Sequence, residues 1–166
     1  MTNRLQIYLD TSVINFLFAD DSPEKKEITI DFFDNFIKTG VYETFISDVV
    51  IAEIEDTNDP EKRQALLGII EQYPIDILDL NAEEETEIEE LANNYVEAKV
   101  IPEKKFADAL HIATSVICKI NYLVSWNFRH LANVNKEKKV HIVNLKNNYR
   151  EDIRLITPLE LIDYES

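Results

Sequence analysis

Asp10 ends the apolar run Leu5-Gln6-Ile7-Tyr8-Leu9 and is followed at once by Thr11-Ser12 and a second apolar stretch, Val13 to Phe18. Glu53 sits among Val49, Val50 and Ile54, an odd setting for a carboxylate that needs only water, and Asp108 opens the apolar segment Phe106-Ala107-Asp108-Ala109-Leu110-His111-Ile112-Ala113. A fourth segment, Leu123-Val124-Ser125-Trp126-Asn127, closes an apolar run with a hydroxyl and an amide. Three carboxylates in such contexts suggest one site for a hard cation. Oxygen ligands select Mg²⁺ or Mn²⁺ over zinc, and an ion held by few carboxylates keeps waters and can take a phosphate oxygen. Such an ion lowers the pKa of water and neutralises phosphate charge, so phosphodiester cleavage fits these residues. Acyl and glycosyl transfer fit them less well, because there is no plausible Ser-His-Asp grouping and no Gly-x-Ser-x-Gly elbow.

Each residue also has a purely structural explanation. Asp10 can cap the helix that follows the first strand, Asp108 can complement a helix N-terminus, and Glu53 can be a solvated helix residue. Ser125 and Asn127 can be turn residues, since both side chains bond nearby backbone. His111 and His130 are read as structural, because no second histidine or cysteine stands at metal-ligand spacing. Trp126 is either a packed cover over the site or a base-stacking platform.

The elements that would position these groups alternate. Strands are expected at Leu5–Leu9, Glu43–Ile46, Ile75–Leu78 and Asn121–Val124, with shorter ones at Val140–Val143 and Arg154–Ile156. A short helix follows Asp10 through Ala19. A longer one opens at Ser22-Pro23 and ends at Gly40, with Ile28, Phe32, Phe33, Phe36 and Ile37 on one apolar face. Ser47 or Asp48 caps a helix through Glu55, a further helix runs from Pro60 to Ile70, and Asn81 caps an acidic one from Ala82 to about Lys99. Phe106–Ile120 is the most apolar helix. Alternating strand and helix predict an α/β fold with a mostly parallel sheet covered on both faces. In such sheets the first strand delivers Asp10 to the carboxyl edge, where ligands bind.

With 166 residues and 45% hydrophobic content, residues 1–166 are expected to form one domain. No apolar stretch approaches the roughly 20 residues of a membrane span and no signal peptide is evident, so a cytoplasmic location is expected. The single cysteine, Cys118, supports neither a disulfide framework nor a thiolate zinc site. The net charge of −15 opposes nucleic-acid binding through the overall field, yet residues 119–154 carry eight Lys/Arg against three Asp/Glu. Lys136, Lys138, Lys139, Lys146, Arg150, Arg154 and Arg129 can hold a phosphate backbone, or can be an ordinary solvated face.

Taken together, Leu9-Asp10-Thr11-Ser12, Ile46-Ser47 followed by Glu53, Asp108-Ala109-Leu110-His111-Ile112-Ala113 and Val124-Ser125-Trp126-Asn127 resemble the PIN domain. That nuclease family includes the VapC-type toxins of type II toxin–antitoxin pairs. The resemblance implies a three-layer α/β/α fold, Mg²⁺ or Mn²⁺ on Asp10, Glu53 and Asp108, and metal-dependent endonuclease action on RNA, with Ser125 and Asn127 beside the reacting groups. Implied partners are an RNA substrate, an antitoxin protein and a possible homodimer. Where the family commonly has a fourth acid this chain has Asn127, which keeps open a weakened PIN-like module that binds RNA or acts as a scaffold. A phosphatase with Asp10 as nucleophile is disfavoured, since no acid stands two residues on.

Overall fold

A computed structural model describes residues 4–127, 129 and 131–162. Chain order is β1 (Leu5–Leu9), α1 (Thr11–Asn15), α2 (Pro23–Phe32) continuing as a π-helical stretch Phe33–Ile37, β2 (Tyr42–Ile46), α3 (Asp48–Glu55) and α4 (Pro60–Gln72). There follow β3 (Ile75–Ile77), α5 (Ala82–Glu97), α6 (Phe106–Ile117), β4 (Tyr122–Val124), α7 (Val134–Lys146) and β5 (Arg154–Ile156). The strands form one sheet in the order β3-β2-β1-β4-β5, and every pairing is parallel. Helices cover it in a three-layer α/β/α arrangement, as expected.

The central strand shows why. Ile7, Tyr8 and Leu9 are consecutive and all fully buried, which an alternating strand permits only when both sheet faces are covered. Tyr8 pairs with Phe45 on one side and Leu123 on the other. From β1 the chain steps outward through β2 and β3, then returns to place β4 on the opposite side of β1. The strand order therefore reverses between β1 and β4, and the crevice beyond their carboxyl ends is where such sheets take ligands. Asp10 N–H reaches Val124 O at 3.1 Å and closes that edge.

Local chemistry sets the helix boundaries. Ser47 caps α3 by accepting from Val49 N, Asp59 caps α4, and Asn81 caps α5 in a reciprocal capping box with Glu84. The apolar face anticipated after Pro23 is present: Phe32, Phe33 and Ile37 are buried, with Ile28 and Phe36 packed against the core. Gly40, at φ 76°, makes the left-handed turn into β2. Among the described residues, no helix is long and apolar enough to cross a membrane.

One expectation is overturned. Val140-His141-Ile142-Val143 is not a strand but lies inside α7, because Asn133 accepts from Lys136 N and starts a helix ahead of it. The β-branched run then follows helical spacing, with Val140 and Val143 buried and Ile142 exposed. A strand would have put Val140 and Ile142 on one face. Ile142→Asp should therefore change stability by no more than about 0.5 kcal/mol, whereas Val140→Asp, which buries an unpaired carboxylate, should abolish cooperative unfolding. Urea titration of both variants checks this, and equal losses would restore the strand.

Candidate active site

Asp10 occupies the N-cap position of α1 but caps nothing with its side chain. It is only 4% exposed, and both carboxylate oxygens are held by serine hydroxyls: Ser12 Oγ donates to Oδ1 and Ser125 Oγ to Oδ2, each at 2.6 Å. The loop after β4 is tied to the same hydroxyls. Trp126 N–H donates to Ser12 Oγ at 2.9 Å, and Asn127 N–H donates to Ser125 Oγ at 2.8 Å. Ser125 is thus both a turn residue and a support for Asp10.

Glu53, on α3, is not a freely solvated residue. Its Oε1 accepts from Thr11 Oγ1 at 2.6 Å and bonds His111 Nε2 at 2.8 Å. Asp108, in the first turn of α6, accepts from Asn127 Nδ2 at 3.2 Å. Among the described residues, no hydrogen-bond donor reaches Glu53 Oε2 or Asp108 Oδ1. One cavity of about 400 Å³ is lined by Asp10, Glu53 and Asp108, with His111, Asn127 and two lysines, Lys104 and Lys105, on its wall. Ser125 lies beneath it, fully buried behind Asp10.

The acids feel one another. Burial raises the Asp10 carboxyl above its ordinary range, the charge of Asp108 adds to this, and His111, Ser12 and Ser125 oppose it. Burial likewise raises Asp108, with His111 opposing and Glu53 reinforcing. At Glu53 burial acts in the same sense, but His111, Thr11 and Lys105 outweigh it and the carboxyl is held low. Burial disfavours a charge on His111, and the three acids reverse that and raise it. Among the described residues, no three His, Cys, Asp or Glu side chains stand as a ready metal-coordination group. The donors that share the cavity are nonetheless hard oxygens, Glu53 Oε2 and Asp108 Oδ1 among them without a described hydrogen-bond donor, and a Mg²⁺-sized ion that keeps its waters needs only one or two carboxylates. The residues fit such a cation.

Several groups were not evident from sequence. Lys105 lies three residues before Asp108 in the turn leading into α6, so helical proximity was a usable signal. Tyr8 precedes Asp10 by two residues, the spacing that shares a sheet face. The basic segment is partly diverted: Lys136 Nζ donates to Val100 O, Arg154 bonds Glu137, and Lys138 lines a separate cleft with His141 and Asp152. Trp126 is buried, donating Nε1–H to Thr29 and packing on Phe16, so it is a core residue, neither lining the cavity nor exposed as a stacking platform. His130 lies outside the described residues. The Cys118 thiol, pushed up to about 11 by burial, offers no thiolate near neutral pH.

The family model of the PIN domain matches residues 7–137, a span that contains all three acids, Ser125 and Asn127. The chain belongs to the PIN domain family. No curated protein sequence matches it. PIN domains are generally nucleases that hydrolyse nucleic acid and typically use divalent cations. In this PIN domain the match begins at Ile7 in β1 and ends in the first turn of α7.

The raised carboxyls carry a signed consequence. An acid whose pKa is higher folded than unfolded supports the fold fully at low pH, and that support is lost as pH rises through its folded value. Asp10→Asn and Asp108→Asn should therefore raise the thermal midpoint in EDTA at pH 7, each kcal/mol relieved being worth about 2–4 °C at this chain length. Glu53→Gln should lower it, since that carboxylate is held low by its partners. Calorimetry of the three variants from pH 4 to 8 checks the signs, and a fall in midpoint for Asp10→Asn would contradict them.

Proposed function

We propose that this PIN domain is a Mg²⁺- or Mn²⁺-dependent endoribonuclease, the VapC-type toxin of a type II toxin–antitoxin pair, working in the cytoplasm as a single domain over residues 1–166. The observation that carries the nuclease reading is the sharing of one cavity by Asp10, Glu53, Asp108, Lys104 and Lys105 at the carboxyl edge of the sheet. Acids without cations would repel a phosphodiester, and cations without acids would hold one without activating anything. The toxin role rests on the resemblance of the four motifs to the PIN domain, the family that includes those toxins, and an antitoxin partner follows from it.

Asp10, Glu53 and Asp108 would hold the cation. When bound, it supplies Lewis acidity toward a phosphate oxygen and makes water a better nucleophile near neutral pH. Ser12 and Ser125 keep the Asp10 carboxylate in one orientation, so it loses no rotational freedom when it takes up its ligand. Lys104 and Lys105 attract the phosphate backbone. Asn127 couples the loop after β4 to Asp108 and orients water or substrate by its amide.

Asn127 also favours a second reading, a PIN-like module that binds RNA or scaffolds with little cleavage, because an amide adds no charge where a fourth acid would. Purified protein incubated with RNA and Mn²⁺ or Mg²⁺ separates them: cleavage abolished by EDTA supports the enzyme, and binding without cleavage supports the module. Asp10→Asn and Asp108→Asn should each reduce cleavage to background while circular dichroism stays unchanged. Wild-type rates in both variants, in metal-replete buffer, would remove these acids from the reaction. Co-purification with the product of the adjacent reading frame tests the antitoxin, and sedimentation tests the homodimer.

The lysines give a separate expectation. Replacing Lys104 and Lys105 with Gln should flatten the dependence of log affinity on log salt by about 0.7 for each single-strand phosphate that is no longer neutralised. Lys138→Gln, in its own cleft, should leave the slope alone. Equal slopes in all three proteins, measured by fluorescence anisotropy with a catalytically silent Asp10→Asn background, would place the RNA elsewhere.

A further inference from the structure

Behind Glu53 runs a buried hydrogen-bond chain that the proposed chemistry does not use. Tyr8 Oη, in the middle of the central strand, lies 2.7 Å from Ser47 Oγ and 2.7 Å from His111 Nδ1. The other ring nitrogen of His111 is 2.8 Å from Glu53 Oε1. All three supporting residues are buried, Tyr8 completely and Ser47 and His111 to within 1%.

The direction of the chain can be worked out from its donors. Val49 N–H donates to Ser47 Oγ at 3.2 Å, and the Glu53 carboxylate can only accept, so the His111 nitrogen that faces it carries a hydrogen. With a singly protonated ring, the Tyr8 hydrogen then goes to His111 Nδ1 and leaves the ring proton on Nε2. Nε2–H faces Glu53 whether the ring carries one proton or two. Thr11 Oγ1 also donates to Glu53 Oε1, so that oxygen is doubly held while Oε2 has no described donor. A glutamate has three rotatable torsions, and this arrangement removes much of that freedom at the end that matters.

We infer that Tyr8 and His111 are positioning residues that lock the Glu53 carboxylate by Oε1 and so present Oε2 to a hard cation in the cavity. The inference rests on the proposed cation site. Groups that orient a metal-ligating side chain in this way are typically worth about 10–100-fold in metal affinity. His111→Leu removes both polar contacts, His111→Gln retains an amide donor for Glu53 and a carbonyl acceptor for Tyr8, and Tyr8→Phe removes only the hydroxyl. Tyr95→Phe is the matched control. It deletes another buried tyrosine hydroxyl, bonded to Asn144 between α5 and α7 and away from the cavity.

The measurement is Mn²⁺ binding alone, read from the free-ion electron paramagnetic resonance signal, with thermal midpoints in EDTA recorded beside it. His111→Leu should weaken Mn²⁺ binding by about 10–100-fold, His111→Gln should recover most of that affinity, and Tyr8→Phe should weaken binding where Tyr95→Phe does not. Should His111→Leu fail to fold, the Tyr8→Phe and Tyr95→Phe pair decides the matter. Wild-type affinity in Tyr8→Phe, or equal weakening in Tyr8→Phe and Tyr95→Phe, would overturn the positioning role while leaving the cation site standing. Absence of Mn²⁺ binding in the unsubstituted protein would overturn both.

Discussion

The parallel pairing of β1 with β4 is the constraint on which the site depends. Ile7, Tyr8 and Leu9 register against Tyr122, Leu123 and Val124, and the bond from Asp10 N–H to Val124 O carries that register one residue beyond the strands. It brings Asp10 and Ser125 side by side although 115 residues separate them. A shift of one residue in this pairing would turn every side chain to the opposite face. Both faces are buried and close-packed, so such a shift would misfit the packing on each and pull Tyr8 off Ser47 and His111, and the carboxylate inherits its precision from the core.

The fold then gathers like charges that oppose it. Burial raises the carboxyls of both Asp10 and Asp108, the charge of Asp108 adds to this at Asp10, and the charge of Glu53 adds to it at Asp108. What offsets this is local: two serine hydroxyls on Asp10, His111 and Thr11 on Glu53, and Lys105 within Coulombic reach of both Glu53 and Asp108. Compensation is incomplete, since among the described residues no donor reaches Glu53 Oε2 or Asp108 Oδ1. A site that keeps residual negative charge in a concave wall is what attraction of a cation requires, and the lysines on the same wall make it tolerable to a phosphate.

Much of this was legible in the residues themselves. Asp10, Ser125 and Asn127 stand where an apolar run gives way to polar residues, the mark of a strand end, Asp108 stands in the first turn of a helix, and Glu53 drew notice as an acid among Val49, Val50 and Ile54. The fold class followed from the same alternation. What could not be read were contacts made across the fold. His111 carries the spacing of a core histidine and is one by burial, yet both its ring nitrogens are committed, to Tyr8 of β1 and to Glu53 of α3, a fact that only the packing of α6 on both creates. Val140–Val143 misled because four residues rich in β-branched side chains satisfy either period, and the deciding feature was a cap seven residues upstream at Asn133.

The distribution of charge raises the question of how so acidic a chain would meet a nucleic acid. The first turns of α5 alone bring Glu83, Glu84 and Glu85 to one end of a helix, and the whole chain carries −15. At physiological ionic strength, however, exposed charges farther apart than about 8 Å are largely screened. The acidic body therefore slows approach from a distance more than it weakens a bound phosphate, and affinity is decided by the few cations within a Debye length of the cavity. Lys104 and Lys105 line it, and Lys136 is near enough to act on Asp108 although its ammonium is engaged by Val100 O. So small a basic footprint favours a short contact around a single phosphodiester over an extended groove along many.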